Sequence, residues 1–192
     1  MRCPPPLVLL LLAAMGSAQE NAPNRILRQV DGAVIADGKI EVIAKLVSKG
    51  QLLLDGKILN ARQKAPGVIT YALEAAAGRH VLELQFEGGT EKVRFAAGPA
   101  PEGEVWKPFR LHPPGATCET CHAVISNVWE LKHAKLETSC GGCHNALKGF
   151  AANHQHNTTQ LADCALCHNP HGSTTQFHMR YPRAVACKLC HG

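Results

Sequence analysis

Four segments of the chain share one five-residue form: CETCH at 118–122, CGGCH at 140–144, CALCH at 164–168 and CKLCH at 187–191. Two thiols three positions apart fall within one tight turn. There they can form thioethers to the two vinyl groups of a single porphyrin while the adjacent imidazole reaches its iron. Cys118, Cys121, Cys140, Cys143, Cys164, Cys167, Cys187 and Cys190 are therefore the expected covalent anchors of four c-type haems. His122, His144, His168 and His191 are the expected proximal iron ligands. Cysteine pairs of this spacing also build zinc sites, and eight cysteines in an exported chain could form a disulfide framework. A histidine directly after every pair separates the readings, because zinc does not need it in each half and disulfides do not need it at all.

The same region holds six further histidines, His112, His133, His154, His156, His171 and His178, for four open axial positions. That surplus predicts irons closed on both faces by imidazole. Such irons have no place for a substrate, so they carry electrons and act on no substrate bond. Each motif is preceded by one histidine, His112, His133, His156 or His178, which gives one rule for choosing the distal ligands. Geometry gives partial support to another. Residues two apart on an extended segment point to opposite sides, so His154 and His156 can serve two different irons. His171 stands three residues after His168, too near to reach around the same porphyrin, and is expected on a neighbouring iron.

The phrases LHPPGATCETCH, CGGCHNALKGFAANHQH and CALCHNPH resemble the small tetrahaem cytochromes and the haem domain of flavocytochrome fumarate reductases, over roughly residues 110–192. CALCHNPHGS is also similar to the doubled C-x-x-C-H domains of exported multihaem proteins. The resemblance implies His112, His154, His156 and His171 as distal ligands, with His133 and His178 as alternates. The sequence departs from that pattern in the single Gln155 between the paired histidines and in the longer GSTTQFHMRYPRAVA before the last motif.

The rest of the chain has to carry and place this region. MRCPPPLVLLLLAAMGSAQE has one positive charge, an apolar run and small residues near its end, which reads as a signal peptide over 1–18 and an exported, periplasmic or extracellular protein. Its apolar run falls short of the roughly 20 residues a membrane-spanning helix needs, and no second such run follows. The sandwich domain is placed at 19–97, where residues 24–97 alternate apolar and polar side chains. HVLELQF (80–86) and EKVRF (91–95) read as a hairpin, KIEVIAKLV (39–47) and VITYALEA (68–75) as strands, and LLLDGKILN (52–60) as two short runs about an Asp-Gly turn. The expected fold has two domains: a small all-β, immunoglobulin-like sandwich, then a multihaem cytochrome c domain. The rhythm of turns and strands resembles the small immunoglobulin-like domains appended to exported proteins, whose role would be docking or spacing. His80 reads as an ordinary strand histidine.

Three prolines and two glycines over 96–108 break both periodicities, so the linker is placed at 98–109 and the cytochrome domain at 110–192. That domain has few large apolar side chains and no sustained periodicity, with one helix expected around NVWELKHAKLE (127–137). It is expected as loops and short helices wrapped around four haems, which would be its core.

Between Lys107 and Gly192, eight Lys and Arg face four Asp and Glu. Eight haem propionates would absorb that excess, and stacking aromatics are scarce, so nucleic acid is excluded as a partner. The expected partners are redox proteins, donor and acceptor. Peripheral docking at a membrane and assembly of copies into a filament, with His133 or His178 reaching a neighbour's haem, agree with the sequence. A reductase of a small oxyanion would need one iron with an open position, and the histidine surplus argues against it.

Overall fold

A computed structural model describes residues 24–112, 117–133, 136–144 and 164–192, and in it the alternating stretches fold as two packed sheets. One sheet consists, in spatial order, of β1 (Arg25–Arg28), β3 (Lys39–Lys45), β7 (Val68–Glu74) and β6 (Arg62–Ala65), every pair antiparallel. The other consists of β10 (Lys107–Pro108), β2 (Ala33–Ile35), β9 (Gly89–Ala97), β8 (Gly78–Phe86), β4 (Gly50–Leu54) and β5 (Lys57–Ile58). In it β10 and β9 flank β2 in parallel, and the remaining pairs are antiparallel.

A period of two turns alternate side chains inward. Ile40, Val42 and Ala44 of β3 meet Leu82 and Leu84 of β8 and Val93, Phe95 and Ala97 of β9 in one shared core. Each large aliphatic or aromatic side chain taken from water contributes about 1.5–3 kcal/mol. The hairpin expected at 80–95 is the β8–β9 pair, with Leu82 opposite Val93. The Asp-Gly turn joins β4 to β5, its residues at φ 50° and 78°, as a two-residue left-handed turn requires.

Asp55 of that turn also accepts the Val81 amide at 2.8 Å and pairs with His80 Nδ1 at 2.7 Å, while His80 Nε2 meets the Ala76 carbonyl at 2.8 Å. Burial opposes the charge on His80, but the Asp55 carboxylate and the Ala76 carbonyl outweigh it and raise its pKa. His80 is thus a clamp between turn and strand as well as a strand residue.

The helix expected over 127–137 is not formed. Ser126 and Asn127 lie at φ 49° and 61° and close a hairpin between β11 (His122–Ile125) and β12 (Val128–Leu131), with Val124 opposite Trp129. Trp129 and Leu131 share a half-buried face while Val128 and Glu130 are exposed, an alternation that a strand satisfies and a helix does not. Helix α2 (Leu136–Gly141) takes up only the end of the interval.

The interval 98–109, expected as a linker, ends in the edge strand β10. Beyond it the Phe109 amide donates to the Val34 carbonyl at 2.8 Å and the Phe109 ring packs on the sandwich core. The C-terminal region adds α1 (Cys118–Cys121), α3 (Arg183–His191) and single 3-10 turns at Cys164–Leu166 and Gln176–His178. Among the described residues, every buried apolar side chain lies between Ile26 and Ala97. Leu111, Val124, Leu166 and Val185 are exposed. Also among the described residues, no helix is long and apolar enough to cross a membrane. The expected signal peptide, 1–18, lies outside them.

Two outcomes follow for the sandwich. Phe95 is fully buried, so Phe95→Ala should cost about 3–5 kcal/mol in denaturant unfolding followed by far-ultraviolet circular dichroism. The raised pKa of His80 means that the folded state holds its proton more tightly than the unfolded state. Its contribution is then complete below the ordinary histidine value, about 6.5, and is lost as pH rises through the raised value. The stability gap between wild type and His80→Gln should therefore be widest in mild acid and narrow with rising pH, read from hydrogen exchange of the Val81 amide. A pH-independent gap would contradict the clamp.

Candidate metal centre

Three of the four C-x-x-C-H segments close in the same way. The His122 amide donates to the Cys118 carbonyl, and the His144 and His168 amides donate to the Cys140 and Cys164 carbonyls at 2.9 Å each. One helical turn thus sets both thiols and the imidazole on consecutive positions of a single loop. At the first motif the Thr117 and Thr120 side chains and amides cap that turn reciprocally. The fourth motif lies within α3, with Cys187 exposed. The cysteines at 118, 121, 140, 143, 164 and 187 are free thiols. Burial and the adjacent Cys164 thiol push the Cys140 thiol up to about 11, so the second and third motifs stand side by side.

Two of the motif histidines are fixed in tautomer as well as in place. His168 Nδ1 lies 2.7 Å from the Phe177 carbonyl, and His122 Nδ1 lies 3.3 Å from the Glu130 carbonyl. A carbonyl only accepts, so each Nδ1 carries the proton and each Nε2 keeps its lone pair, the arrangement a metal-ligating imidazole needs. Burial lowers the His122 pKa against the opposing pull of the Glu130 carbonyl, which keeps the ring neutral.

The other candidate ligands are distributed unequally. The His171 ring lies 6.1 Å from that of His122, centre to centre. His112 lies 6.0 Å from His144 and 5.9 Å from His178. The His122 and His171 planes lie within 22° of parallel, and those of His112 and His144 stand at 84°. Among the described residues, no cluster of three or more His, Cys, Asp or Glu could hold a metal ion. The buried Nδ1 atoms of His112 and His178 have no hydrogen-bond partner among the described residues.

Burial, then the neighbouring His122, Arg28, Arg25 and Arg180, push the His171 imidazole down to about 4, and burial with His112, His168 and Arg110 lowers His178. His133 is exposed in the bend after β12. His154 and His156 lie outside the described residues, and of Cys190 and His191 only the backbone is described.

The sandwich reaches into this centre. Cys118 and Trp129 pack on Ile43, Ala65 and Val68, and the Trp129 indole lies parallel to the His122 ring at 5.5 Å. Lys64 of β6 pairs with Glu119 at 2.6 Å and holds that carboxyl down at about 2. On the opposite side, Arg28 Nε donates to the His171 carbonyl at 3.2 Å, and Arg110 and Ser173 exchange backbone hydrogen bonds at 2.8 and 3.0 Å. Gly172 lies at φ 138° against the Phe109 ring, with which any Cβ at that position would collide.

A second device is not legible in the sequence. Phe177 and His178 adopt φ 57° and 54°, a left-handed pair of non-glycine residues that aims consecutive carbonyls at the third motif. The Phe177 carbonyl receives His168 Nδ1–H, and that of His178 receives the Asn169 amide at 2.7 Å.

No protein-family model and no curated protein matches the chain. Solved structures similar to part of it include the endo-beta-1,4-mannanase from Thermotoga petrophila (17% identity, 40% of this chain and 20% of that one, TM-score 0.33). The fibronectin(III)-like modules of Clostridium thermocellum CbhA align at 16% identity over 41% of this chain and 99% of that one, TM-score 0.31. A chimeric titin Z1Z2 aligns at 9% identity over 39% and 92%, TM-score 0.28. The chain thus spans about a fifth of the mannanase's length.

The left-handed turn gives a direct test. Phe177→Gly suits the backbone and removes a ring that is 81% exposed, so stability should stay within about 1 kcal/mol of wild type. Phe177→Pro forces φ near about −65° and unlatches His168 and Asn169, for an expected loss of about 1–3 kcal/mol in thermal unfolding. Equal effects of the two substitutions would remove the turn from the account of His168.

Proposed function

We propose that this chain is an exported tetrahaem c-type cytochrome, periplasmic or extracellular, that passes single electrons between redox proteins. The fourfold C-x-x-C-H motif carries the reading, and it is supported by the common turn in which three of the motifs close. We read the sandwich as immunoglobulin-like, on its two facing sheets and shared core. The described donors fit haem. They are thiols paired within one turn, imidazoles anchored at Nδ1, and ring pairs about 6 Å apart.

Cys118 and Cys121 would hold the first haem, with His122 and His171 as its iron-binding histidines. Cys140 and Cys143 would hold the second, with His144 and His112. Cys164, Cys167 and His168 would hold the third, and Cys187, Cys190 and His191 the fourth, with His154 and His156 as their distal ligands. His133 and His178 are the alternates, and His178 stands beside His112. When bound, the haems supply reversible one-electron chemistry at iron. The protein's part is to hold each ligating ring in orientation and tautomer. His122 gains this from the Glu130 carbonyl and the Trp129 indole, with burial lowering its pKa, and His168 gains it from the Phe177 carbonyl. With two histidines to each iron no position is left for a substrate, so the reading is of a carrier and not an enzyme.

Haem content per chain, measured with the electron paramagnetic resonance spectrum of the oxidised protein, tests the proposal. Four haems, all low-spin, are expected. His171→Ala should turn one of the four high-spin and open it to carbon monoxide, while His133→Ala should leave all four unchanged. A high-spin, nitrite-binding fraction in the wild type would replace the carrier with a catalytic reading, and a chain without haem would end both.

A further inference from the structure

We infer that the outer face of the β1–β3–β7–β6 sheet is a wall of the first ligand pair, and that Arg28 is a positioning residue for His171. The inference rests on the reading of His122 and His171 as axial ligands. It gives the sandwich a part in building the site, beyond docking or spacing.

The argument begins with strand alternation. Ile40, Val42 and Ala44 of β3 face the sandwich core, so Glu41 and Ile43 face outward. Arg28 of β1 is in register with Ile43 and lies on the same outer face. Ile43, Ala65 and Val68 form an apolar patch there, and on it sit Cys118 and Trp129, the latter parallel to the His122 ring. The Lys64–Glu119 ion pair ties the motif's own turn to β6. One side of the pair is therefore seated on the sheet.

The other side is held by the same body. The Arg28 guanidinium is fixed by Glu41 at 3.1 Å and donates through Nε to the His171 carbonyl. The Phe109 ring, packed on the sandwich core, lies against Gly172, and Arg110 bonds Ser173 on both backbone groups. Residues 171–173 are thus held one after another by a side chain, a ring and a backbone bridge from the sandwich and the segment that leaves it. Both rings of the 6.1 Å pair are referenced to one rigid sheet, and their separation is set there and not by the loops that carry them. The contact that reaches His171 most directly is Arg28, which touches its backbone and leaves its ring free.

The test uses the full-length, haem-loaded protein. Arg28→Glu places a carboxylate beside Glu41 and the His171 carbonyl, and is expected to turn one haem in four high-spin with carbon monoxide bound to that haem alone. Arg28→Lys, which keeps the charge but not the fork, should restore the low-spin spectrum only in part. Arg79→Glu, altered at an ion pair with Glu104 on the other sheet, should leave it unchanged.

Four low-spin haems and no carbon monoxide binding in Arg28→Glu would overturn the inference while leaving the cytochrome reading intact. A wild type lacking four low-spin haems would overturn that reading and the inference with it. If Arg28→Glu loads fewer than four haems, Arg28→Gln replaces it with the same two outcomes.

Discussion

The seating of Cys118 and Trp129 on Ile43, Ala65 and Val68 is the contact on which the arrangement of the His122–His171 ring pair depends. The C-terminal region cannot organise itself by burial, because among the described residues its large apolar side chains are exposed or half-buried. A segment of that kind gains order only by using apolar surface from elsewhere. Trp129 does this through strand geometry. Placed diagonally across the hairpin from His122, it offers one face of its indole to the imidazole and packs on the sheet.

Charge works in the same direction. An imidazole binds metal only when neutral, and at the His122–His171 pair protonation is disfavoured on both rings. At His171 burial is the leading cause, and His122, Arg28, Arg25 and Arg180 add to it. Arg28 thus does two things at one place: its Nε–H holds the backbone of the ring it helps to keep neutral. A lysine would supply the charge but not the planar fork that bonds the His171 carbonyl and the Glu41 carboxylate together.

What the sequence discloses is what local spacing encodes. Each C-x-x-C-H turn closes on itself over five residues, and the β8–β9 hairpin is written in the alternation of HVLELQF and EKVRF around two glycines. The interval 127–137 misleads because helix-forming Glu, Leu, Lys and Ala run through it. The alternation of Val128, Trp129, Glu130 and Leu131, coming directly after a left-handed Ser-Asn turn, decides the outcome. The contact between Arg28 and His171 joins residues 143 apart, and no pattern within either neighbourhood encodes it. Phe109 belongs to the same class, since its partner is the missing side chain of Gly172.

The turn at Phe177 and His178 shows how such a region holds a conformation its residues do not prefer. Two non-glycine residues in the left-handed region cost about 1–2 kcal/mol each. A neutral hydrogen bond returns about 0.5–1.5 kcal/mol, so one or two would not hold the turn. The turn makes or adjoins five: His168 Nδ1 to Phe177, Asn169 to His178, Met179 to Gln176, Ser173 Oγ to Met179 and the Arg180 amide to Cys167. Arg180 adds a sixth through Nε to the Ala165 carbonyl. Four of these six end on residues 165–169, the third motif and the residue that follows it. The strain is therefore held in place by the motif's own polar groups, and the segment is organised around His168 and not by the preferences of Phe and His.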